Sequence, residues 1–270
     1  IFMLKKFNSN GYCIIDLFTP SKIDLIKKIL INRIKKLEKN KQTILLTPNN
    51  IKNYHKLDIV DKKHNIICKP STRYINLSKK INDKVLSNQQ IKSIIFSSWG
   101  HSKAMIFWCG NLKKNQMKKN VVGFRISRPE NQKKNAKPRK DATGIHCDLH
   151  VGGKICTDKN SLISMWVPLV GFNKKYTLNL APKSHLKDHP FKGFSKSKTV
   201  SKLFKNNYNK RFKFIRPNLK PGQAIVFHNN ILHGNSFNLG SNTRVSIEIR
   251  IYNIKNMKYW LPKKKNRKIF

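Results

Sequence analysis

The chain has 270 residues, 39% of them hydrophobic, which is enough for one large buried core, and no apolar run of about 18 residues predicts a membrane span. Its 57 basic residues face only 12 acidic ones, for a formal net charge of +45, so it should attract anions from nucleic acid and lipid head groups to phosphorylated or carboxylated metabolites. Five cysteines without a Cys-x-x-Cys pair, and no apolar stretch long enough for a signal peptide at the start, indicate a reduced, cytoplasmic protein without a disulfide framework or structural zinc.

The first part of the chain, about 1–95, is predicted to form a cap of helices and short strands. Residues 11–18 are typical of a short strand. In 21–40, Ile and Leu recur at spacings of three and four, which predicts an amphipathic helix. Residues 41–90 are poorly periodic, and a short helix is predicted around 78–95.

The pattern changes at about residue 94, after which short β-prone runs follow one another, separated by turns rich in Gly, Pro and Asn. The runs cover 104–109, 121–127, 162–170, 176–181, 223–228 and 243–252. Many short strands without intervening helices favour an antiparallel sandwich or jelly roll. We therefore predict one domain over 1–270, mainly β with flanking helices. Its core would cover about 96–254, with lysine-rich loops at 129–141 and 187–213 and a basic tail at 255–270.

Within the core, the stretch "ATGIHCDLHVGG" places His146 and Asp148 two residues apart. On a strand, residues i and i+2 share a face, so both side chains are expected to point into one space. A second histidine from a neighbouring strand would complete the 2-His-1-carboxylate triad of non-haem Fe(II) sites, with coordination positions left open. The tripeptide alone is weak support, because nine His and nine Asp can produce it by chance.

Several histidines could supply the third ligand, namely His150, His185, His189, His228 and His233. His233 is followed 11 residues later by Arg244, at the start of "TRVSIEIR". An arginine there could grip the far carboxylate of a dicarboxylate while the near end chelates iron. This pairing favours His233, provided that the loop at 238–242 brings Arg244 onto the same inner face.

Polar and apolar residues alternate along this last predicted strand, which puts on one face Arg244, Ser246, Glu248 and Arg250. If Arg244 faces a cosubstrate, the whole polar set should line the interior of the barrel. There Glu248 and Arg250 could pair with each other or contact the substrate. Arg125 and Arg128, in "GFRISRP", are further candidates for gripping an anionic substrate, with plain surface charge as the alternative.

In combination, these motifs resemble the Fe(II)/2-oxoglutarate-dependent dioxygenases of the phytanoyl-CoA dioxygenase-like group. The resemblance extends over most of 7–252 and rests on "FNSNGYCIIDLFTPSKIDLI", "TGIHCDLHVGG", "MWVPLVGF", "TLNLAPKSH", "KPGQAIVFHNNILHGN" and "TRVSIEIR". It implies a double-stranded β-helix core of the jelly-roll, cupin-like type. It also implies Fe(II) and 2-oxoglutarate, with O2, as the cofactors.

The resemblance assigns roles to individual residues as well. The implied iron ligands are His146, Asp148 and His233. Arg244 would bind the C5 carboxylate of 2-oxoglutarate, and Asn235 and Trp166 would lie near the cosubstrate. Because the carboxylate ligand leaves no extra vertex for chloride, hydroxylation of a C–H bond is expected rather than halogenation, with release of succinate and CO2.

Three functions remain open at this stage. The preferred one is hydroxylation of a small polar or anionic metabolite, such as a sugar-linked or secondary metabolite. A nucleic-acid alkyl-lesion dioxygenase is suggested by the charge and by the Arg-x5-Arg spacing of Arg244 and Arg250, but only ten of the 57 basic residues are Arg, which favours diffuse attraction over base reading. Non-specific polyanion binding is expected at low salt in either case. A non-catalytic cupin-like binding protein ranks last, because it would more naturally lack one of the four site residues.

Overall fold

The protein is seen here as a computed structural model. Its described residues are 2–38, 45–57, 61–69, 71–108, 120–130, 141, 144–151, 161–173, 176–190, 208–234 and 236–255. The α-helices in these ranges are α1 (Phe2–Asn10), α2 (Pro20–Glu38), α3 (Asp61–Ile67), α4 (Lys79–Ser87), α5 (Gln89–Trp99) and α6 (Asp148–Val151). The strands are β1 (Tyr12–Asp16), β2 (Tyr74–Asn76), β3 (Ala104–Ile106), β4 (Val121–Ser127), β5 (Leu162–Val170), β6 (Gln223–His228) and β7 (Arg244–Asn253).

The predicted strand and amphipathic helix near the start are both present, as β1 and α2. The apolar residues that recur along α2 are buried, among them Ile23, Ile26, Leu30 and Ile34. The single helix predicted around 78–95 is wrong, because the chain forms two helices there. Asn88 separates them: its side chain accepts hydrogen bonds from the backbone N–H groups of Gln90 and Ile91 and so starts α5 as an N-cap.

One antiparallel sheet organises the described chain, with the strand order β1-β6-β5-β7-β4-β2 and β3 also paired to β7. β7 is central to it and pairs with β5, β4 and β3. The two strands from the predicted cap, β1 and β2, lie at opposite ends of this order and pair with β6 and β4. The cap region is therefore continuous with the sheet of the core.

The two faces of the sheet carry different side chains, as strand alternation requires. On one face, β7 buries its apolar residues against the helices, in a cluster that includes Val245, Ile247, Ile249 and Ile251. On the other face a smaller apolar cluster forms around Trp166, Phe227 and Leu180. On this second side, Arg244, Glu248 and Arg250 of β7 line a pocket.

The layer opposite the sheet is made of isolated antiparallel bridges, namely His146↔His233, Leu180↔His233 and Leu180↔Ile215. The predicted strand at 176–181 is therefore reduced to one bridging residue, Leu180. Its beginning is a turn instead, in which the Tyr176 N–H donates to the Asn173 carbonyl at 2.9 Å. Sheet and bridged layer together give the predicted jelly-roll core. Among the described helices, none has both the length and the apolarity needed to cross a membrane.

Candidate metal centre and cosubstrate pocket

Two histidines and one aspartate meet in a buried space between the sheet and the bridged layer. Potential ligand atoms of His146, Asp148 and His233 all lie within 4.8 Å of one another, and all three residues are buried. Nε2 of each histidine lies 3.9 Å from Oδ1 of Asp148. Among the residues that the structure describes, this is the cluster of His, Cys, Asp and Glu able to hold a metal ion.

The backbone brings the three residues together differently from our prediction of one strand carrying two ligands. His146 forms a single bridge with His233, with an N–H···O bond of 2.8 Å in each direction. Asp148 is already the first residue of α6, and the next residue, Leu149, donates its N–H to the Asn229 carbonyl at 2.9 Å. The ligands converge through a bridge and a helix start because the chain turns immediately after His146.

Both imidazoles have their outer nitrogen bound to a backbone carbonyl. Nδ1 of His146 lies 2.7 Å from the Gly144 oxygen, and Nδ1 of His233 lies 3.0 Å from the Ile231 oxygen. A carbonyl only accepts, so each Nδ1 carries the hydrogen and each Nε2 presents its lone pair to the centre. Burial lowers the pKa of His146 to about 3 and lowers that of His233 as well, so both rings are neutral and able to bind a metal at pH 7.

Gly234 shows how closely the two ligand segments approach each other. Its φ of +116° is a conformation that side chains rarely allow. A Cβ there would lie 2.4 Å from the Gly144 oxygen and 3.0 Å from Nδ1 of His146. The glycine after His233 thus keeps the two histidines within reach of one centre.

The carboxylate of Asp148 is held at both oxygens. Nη2 of Arg250 donates to Oδ1 at 2.8 Å, and the hydroxyl of Ser164 donates to Oδ2 at 2.5 Å. Burial opposes ionisation, but the positive charge of Arg250, with the hydrogen bond from Ser164, outweighs it and holds the pKa of Asp148 below its ordinary value. Two neutral imidazoles and one ionised carboxylate are a donor set that fits Fe(II).

Arg244 lies at the start of β7 and is buried, with 5% of its surface exposed. Its guanidinium donates to the carbonyls of Tyr176 and Ser236, at 2.6 Å each, and to the hydroxyl of Ser127 at 3.2 Å. Within the described ranges these partners are all neutral. Burial, together with Arg216 and Arg125, lowers the pKa of Arg244 to about 9. A desolvated cation beside the triad is suited to a carboxylate partner.

The triad and Arg244 line one pocket of about 570 Å³, part of which is open to solvent. Its walls also include Trp166, Glu248 and Arg250. Trp166 and three of the four polar residues of β7 (Arg244, Glu248 and Arg250) therefore lie in the same pocket as the triad. Asn235 lies outside the described residues.

Glu248 and Arg250, which we considered as a pair, have different hydrogen-bond partners in the described part of the chain, although the charge of Arg250 contributes to lowering the pKa of Glu248. Glu248 instead accepts a hydrogen bond from Nε of Arg125 on the adjacent strand β4, and its Oε2 lies 3.9 Å from Nη2 of Arg73. Burial opposes its ionisation, but Arg125 and Arg73 lower the pKa of Glu248 to about 2. Cross-strand and loop neighbours reach this carboxylate, while Arg250 is directed to Asp148.

Arg128 belongs to a buried network that the sequence did not reveal. Its Nε and Nη2 bind the two oxygens of Asp141 at 3.0 and 3.1 Å. Nε2 of His64 lies 3.2 Å from the same carboxylate, and Nδ1 of His64 lies 3.2 Å from the hydroxyl of Tyr54. Burial alone would lower the pKa of His64, but the hydrogen bond to Asp141 raises it to about 9. One indication of this network is present in the sequence: with only 12 acidic residues against 57 basic ones, each carboxylate is surrounded by many potential basic partners.

The other histidines considered as third ligand lie in separate contacts. Nε2 of His185 is 3.0 Å from the Asn8 carbonyl, and Nε2 of His189 is 3.0 Å from another backbone carbonyl. His228 packs against His185, with ring centroids 5.4 Å apart. The side chain of His150 lies outside the described part.

Comparison with known proteins agrees with this architecture. The sequence model of a family described as "Phytanoyl-CoA dioxygenase (PhyH)" matches residues 7–246. Among curated proteins, no sequence matches this chain significantly.

Solved structures with the same fold include SnoK, described as a non-heme alpha ketoglutarate dependent carbocyclase from nogalamycin biosynthesis. It is 10% identical, with a TM-score of 0.56 over 93% of this chain and 83% of that one. EctD from S. alaskensis, solved with 2-oxoglutarate and 5-hydroxyectoine, is 14% identical, with a TM-score of 0.54 over 94% and 76%. EvdO2 from Micromonospora carbonacea var. aurantiaca, complexed with 2-oxoglutarate, is 13% identical, with a TM-score of 0.52 over 93% and 89%. These likenesses confirm the predicted double-stranded β-helix core.

Proposed function

We propose, since this chain belongs to the phytanoyl-CoA dioxygenase family, that it hydroxylates a C–H bond of a small polar or anionic metabolite and releases succinate and CO2. Its membership makes it an Fe(II)- and 2-oxoglutarate-dependent dioxygenase. The observation that carries the proposal is that four buried residues, His146, Asp148, His233 and Arg244, line one pocket. Iron ligands and a carboxylate anchor are the two parts that a reaction with 2-oxoglutarate requires.

In this proposal the triad holds Fe(II) through the two Nε2 atoms and the Asp148 carboxylate. Arg244 would bind the C5 carboxylate of 2-oxoglutarate through its fork, and this carboxylate would supply the negative charge that the neutral partners of the buried guanidinium lack. Trp166 forms part of the wall beside the cosubstrate, and Asn235 is proposed as a polar neighbour of it. Iron and 2-oxoglutarate together supply the oxidising chemistry, and the protein orients the substrate and limits access of water.

The substrate class is proposed from the charges in and around the pocket. Arg125 lines the pocket and, although its Nε is bound to Glu248, remains our candidate for contacting an anionic group of the substrate. Arg128 is bound by both oxygens of Asp141, so its contribution to substrate binding would be less direct. The lysine-rich coat would concentrate anions near the opening without selecting among them. SnoK and EctD, which share the fold, are described with nogalamycin biosynthesis and 5-hydroxyectoine, which supports a small molecule.

Two alternatives are disfavoured by particular residues. The Arg-x5-Arg spacing suggested a nucleic-acid lesion dioxygenase, but Arg250 is bound to Asp148 beside the triad. A non-catalytic binding protein would not need a complete triad. A cytoplasmic location is part of the proposal, and Cys13 and Cys68, which are thiols and not disulfides, are in keeping with it.

The test compares succinate release by iron-loaded protein supplied with a panel of small anions and with methylated oligonucleotides. Both series are run at about physiological ionic strength, where surface charges are screened beyond roughly 8 Å. We expect stimulation by a small anion, with a hydroxylated product. Stimulation by a methylated oligonucleotide alone, with formaldehyde released, would replace the proposal by the nucleic-acid function.

A further inference from the structure

The carboxylate of Asp148 is oriented by two donors on opposite sides. Oδ1 lies 3.9 Å from Nε2 of both triad histidines and also accepts the 2.8 Å hydrogen bond from Arg250. Oδ2 accepts from Ser164. A carboxylate has about four lone-pair sites, so each oxygen keeps one after these bonds. The two donors therefore fix which oxygen faces the histidines.

Arg250 is itself held by packing on a buried aromatic ring. Its Cζ lies 5.0 Å from the centroid of Trp108, which is 2% exposed. The ring lies where a side chain of Gly123 would be, since a Cβ on Gly123 would come within 2.5 Å of it. Arg73 packs over the same ring at 5.3 Å, but its ion pair is with Glu248. Two guanidinium groups thus pack over the indole, and of these two it is Arg250 that contacts a metal ligand.

We propose that Arg250, supported by Trp108, is a positioning residue that holds Asp148 so that Oδ1 rather than Oδ2 binds the iron. The inference rests on the proposed function, because it takes the triad as the iron site. It gives Arg250 a task different from the substrate contact that its place on β7 first suggested. The rotation of a carboxylate about its Cβ–Cγ bond is soft, so a fixed ligand oxygen needs such donors.

The expected effect follows from how outer partners of metal ligands behave. Loss of such a hydrogen bond typically costs about 10–100-fold in metal affinity. Arg250→Met removes the donor and keeps an apolar stem against Trp108, so we expect a loss of this size. Arg250→Gln keeps a neutral N–H donor and should recover part of it. If the guanidinium acted mainly by repelling the metal cation, both variants would bind metal more tightly than wild type.

The experiment titrates purified protein with Co(II), a stand-in for Fe(II) whose visible absorption reports the coordination geometry. Wild type, Arg250→Met and Arg250→Gln are compared with Arg73→Met, a matched control that removes the other cation from the same ring. Arg73→Met should keep wild-type affinity and spectrum, whereas Arg250→Met should show weaker binding and an altered spectrum. Circular dichroism and thermal unfolding establish whether each variant is folded. If Arg250→Met does not fold, Arg250→Gln alone is compared with wild type and Arg73→Met.

Two outcomes overturn the proposal. One is wild-type or tighter binding, with an unchanged spectrum, in the folded Arg250 variants. The other is an equal loss in Arg73→Met, which would make the effect a general consequence of disturbing the ring. Failure of the proposed function is distinguishable, because it would appear in the wild type itself, as absence of stoichiometric metal binding or of 2-oxoglutarate turnover.

Discussion

Replacing Arg244 by methionine removes the proposed anchor of 2-oxoglutarate and leaves the three iron ligands untouched. Methionine keeps an unbranched apolar stem but none of the donors. The buried guanidinium now donates to two carbonyls and one hydroxyl, all neutral, so its charge is available to a carboxylate ligand. The variant should therefore bind iron as wild type does and require far more 2-oxoglutarate.

The magnitude follows from the number of bonds lost. A hydrogen bond to a charged group contributes about 1.5–3 kcal/mol, and a forked guanidinium can make two to one carboxylate. Loss of both would cost about 3–6 kcal/mol, and 1.4 kcal/mol corresponds to about a factor of ten. The concentration of 2-oxoglutarate for half-maximal turnover should rise at least about 100-fold. The substitution should also lower the free energy of unfolding, because two buried carbonyls each lose a donor at a cost of about 1–3 kcal/mol. Removal of a desolvated cation partly offsets this loss.

The assay follows succinate formation against 2-oxoglutarate concentration for wild type, Arg244→Met and a control, Arg216→Met. Arg216 is half-buried and donates to the carbonyls of Thr177 and Phe237. Its replacement removes a neighbouring charge but leaves the donors of Arg244 in place, so the 2-oxoglutarate requirement should change far less than in Arg244→Met. Unchanged 2-oxoglutarate dependence in a folded, iron-containing Arg244→Met protein would refute the assignment.

Further predictions concern the ligands, the backbone, pH and the reaction type. His233→Ala should lose stoichiometric iron while His228→Ala keeps it. The reverse result would show that His228, and not His233, is the third iron ligand. Gly234→Ala forces a Cβ against a carbonyl at positive φ, so we expect about 1–3 kcal/mol lower unfolding free energy and reduced iron occupancy; wild-type values for both would contradict the close approach. His64 has a raised pKa of about 9, so its stabilising effect is fully present below its unfolded pKa, near 6.5, and is lost as pH rises through 9. Denaturant unfolding at pH 6 and pH 9 should show a larger loss for wild type than for His64→Gln, and equal losses would exclude this linkage. Products formed in the presence of chloride should contain no chlorine when analysed by mass spectrometry, and a chlorinated product would overturn hydroxylation.

Much of the architecture could be predicted from local periodicity and from the family motifs. The alternation along β7 correctly separated its buried apolar face from the face that carries Arg244, because a period of two is a property of the strand alone. The same rule was wrong for His146 and Asp148, since the chain leaves extended structure between them. Two-residue spacing does not distinguish a strand from a bridge followed by a helix start.

Contacts between distant segments were beyond the reach of the sequence. Arg250 and Asp148 are 102 residues apart, and Arg125 and Glu248 are 123 apart. Which arginine meets which carboxylate depends on strand register and on the space that Trp108 occupies. The positions of these charged residues were evident from the sequence, but their partners were not.

The most direct measurement of the central claim is the succinate formed from 2-oxoglutarate by wild-type protein loaded with one Fe(II) per chain, beside Asp148→Ala treated identically. The account predicts iron- and oxygen-dependent succinate from wild type, and neither bound iron nor succinate from the variant. Equal succinate from both proteins, or none from a wild type that holds iron, would contradict it.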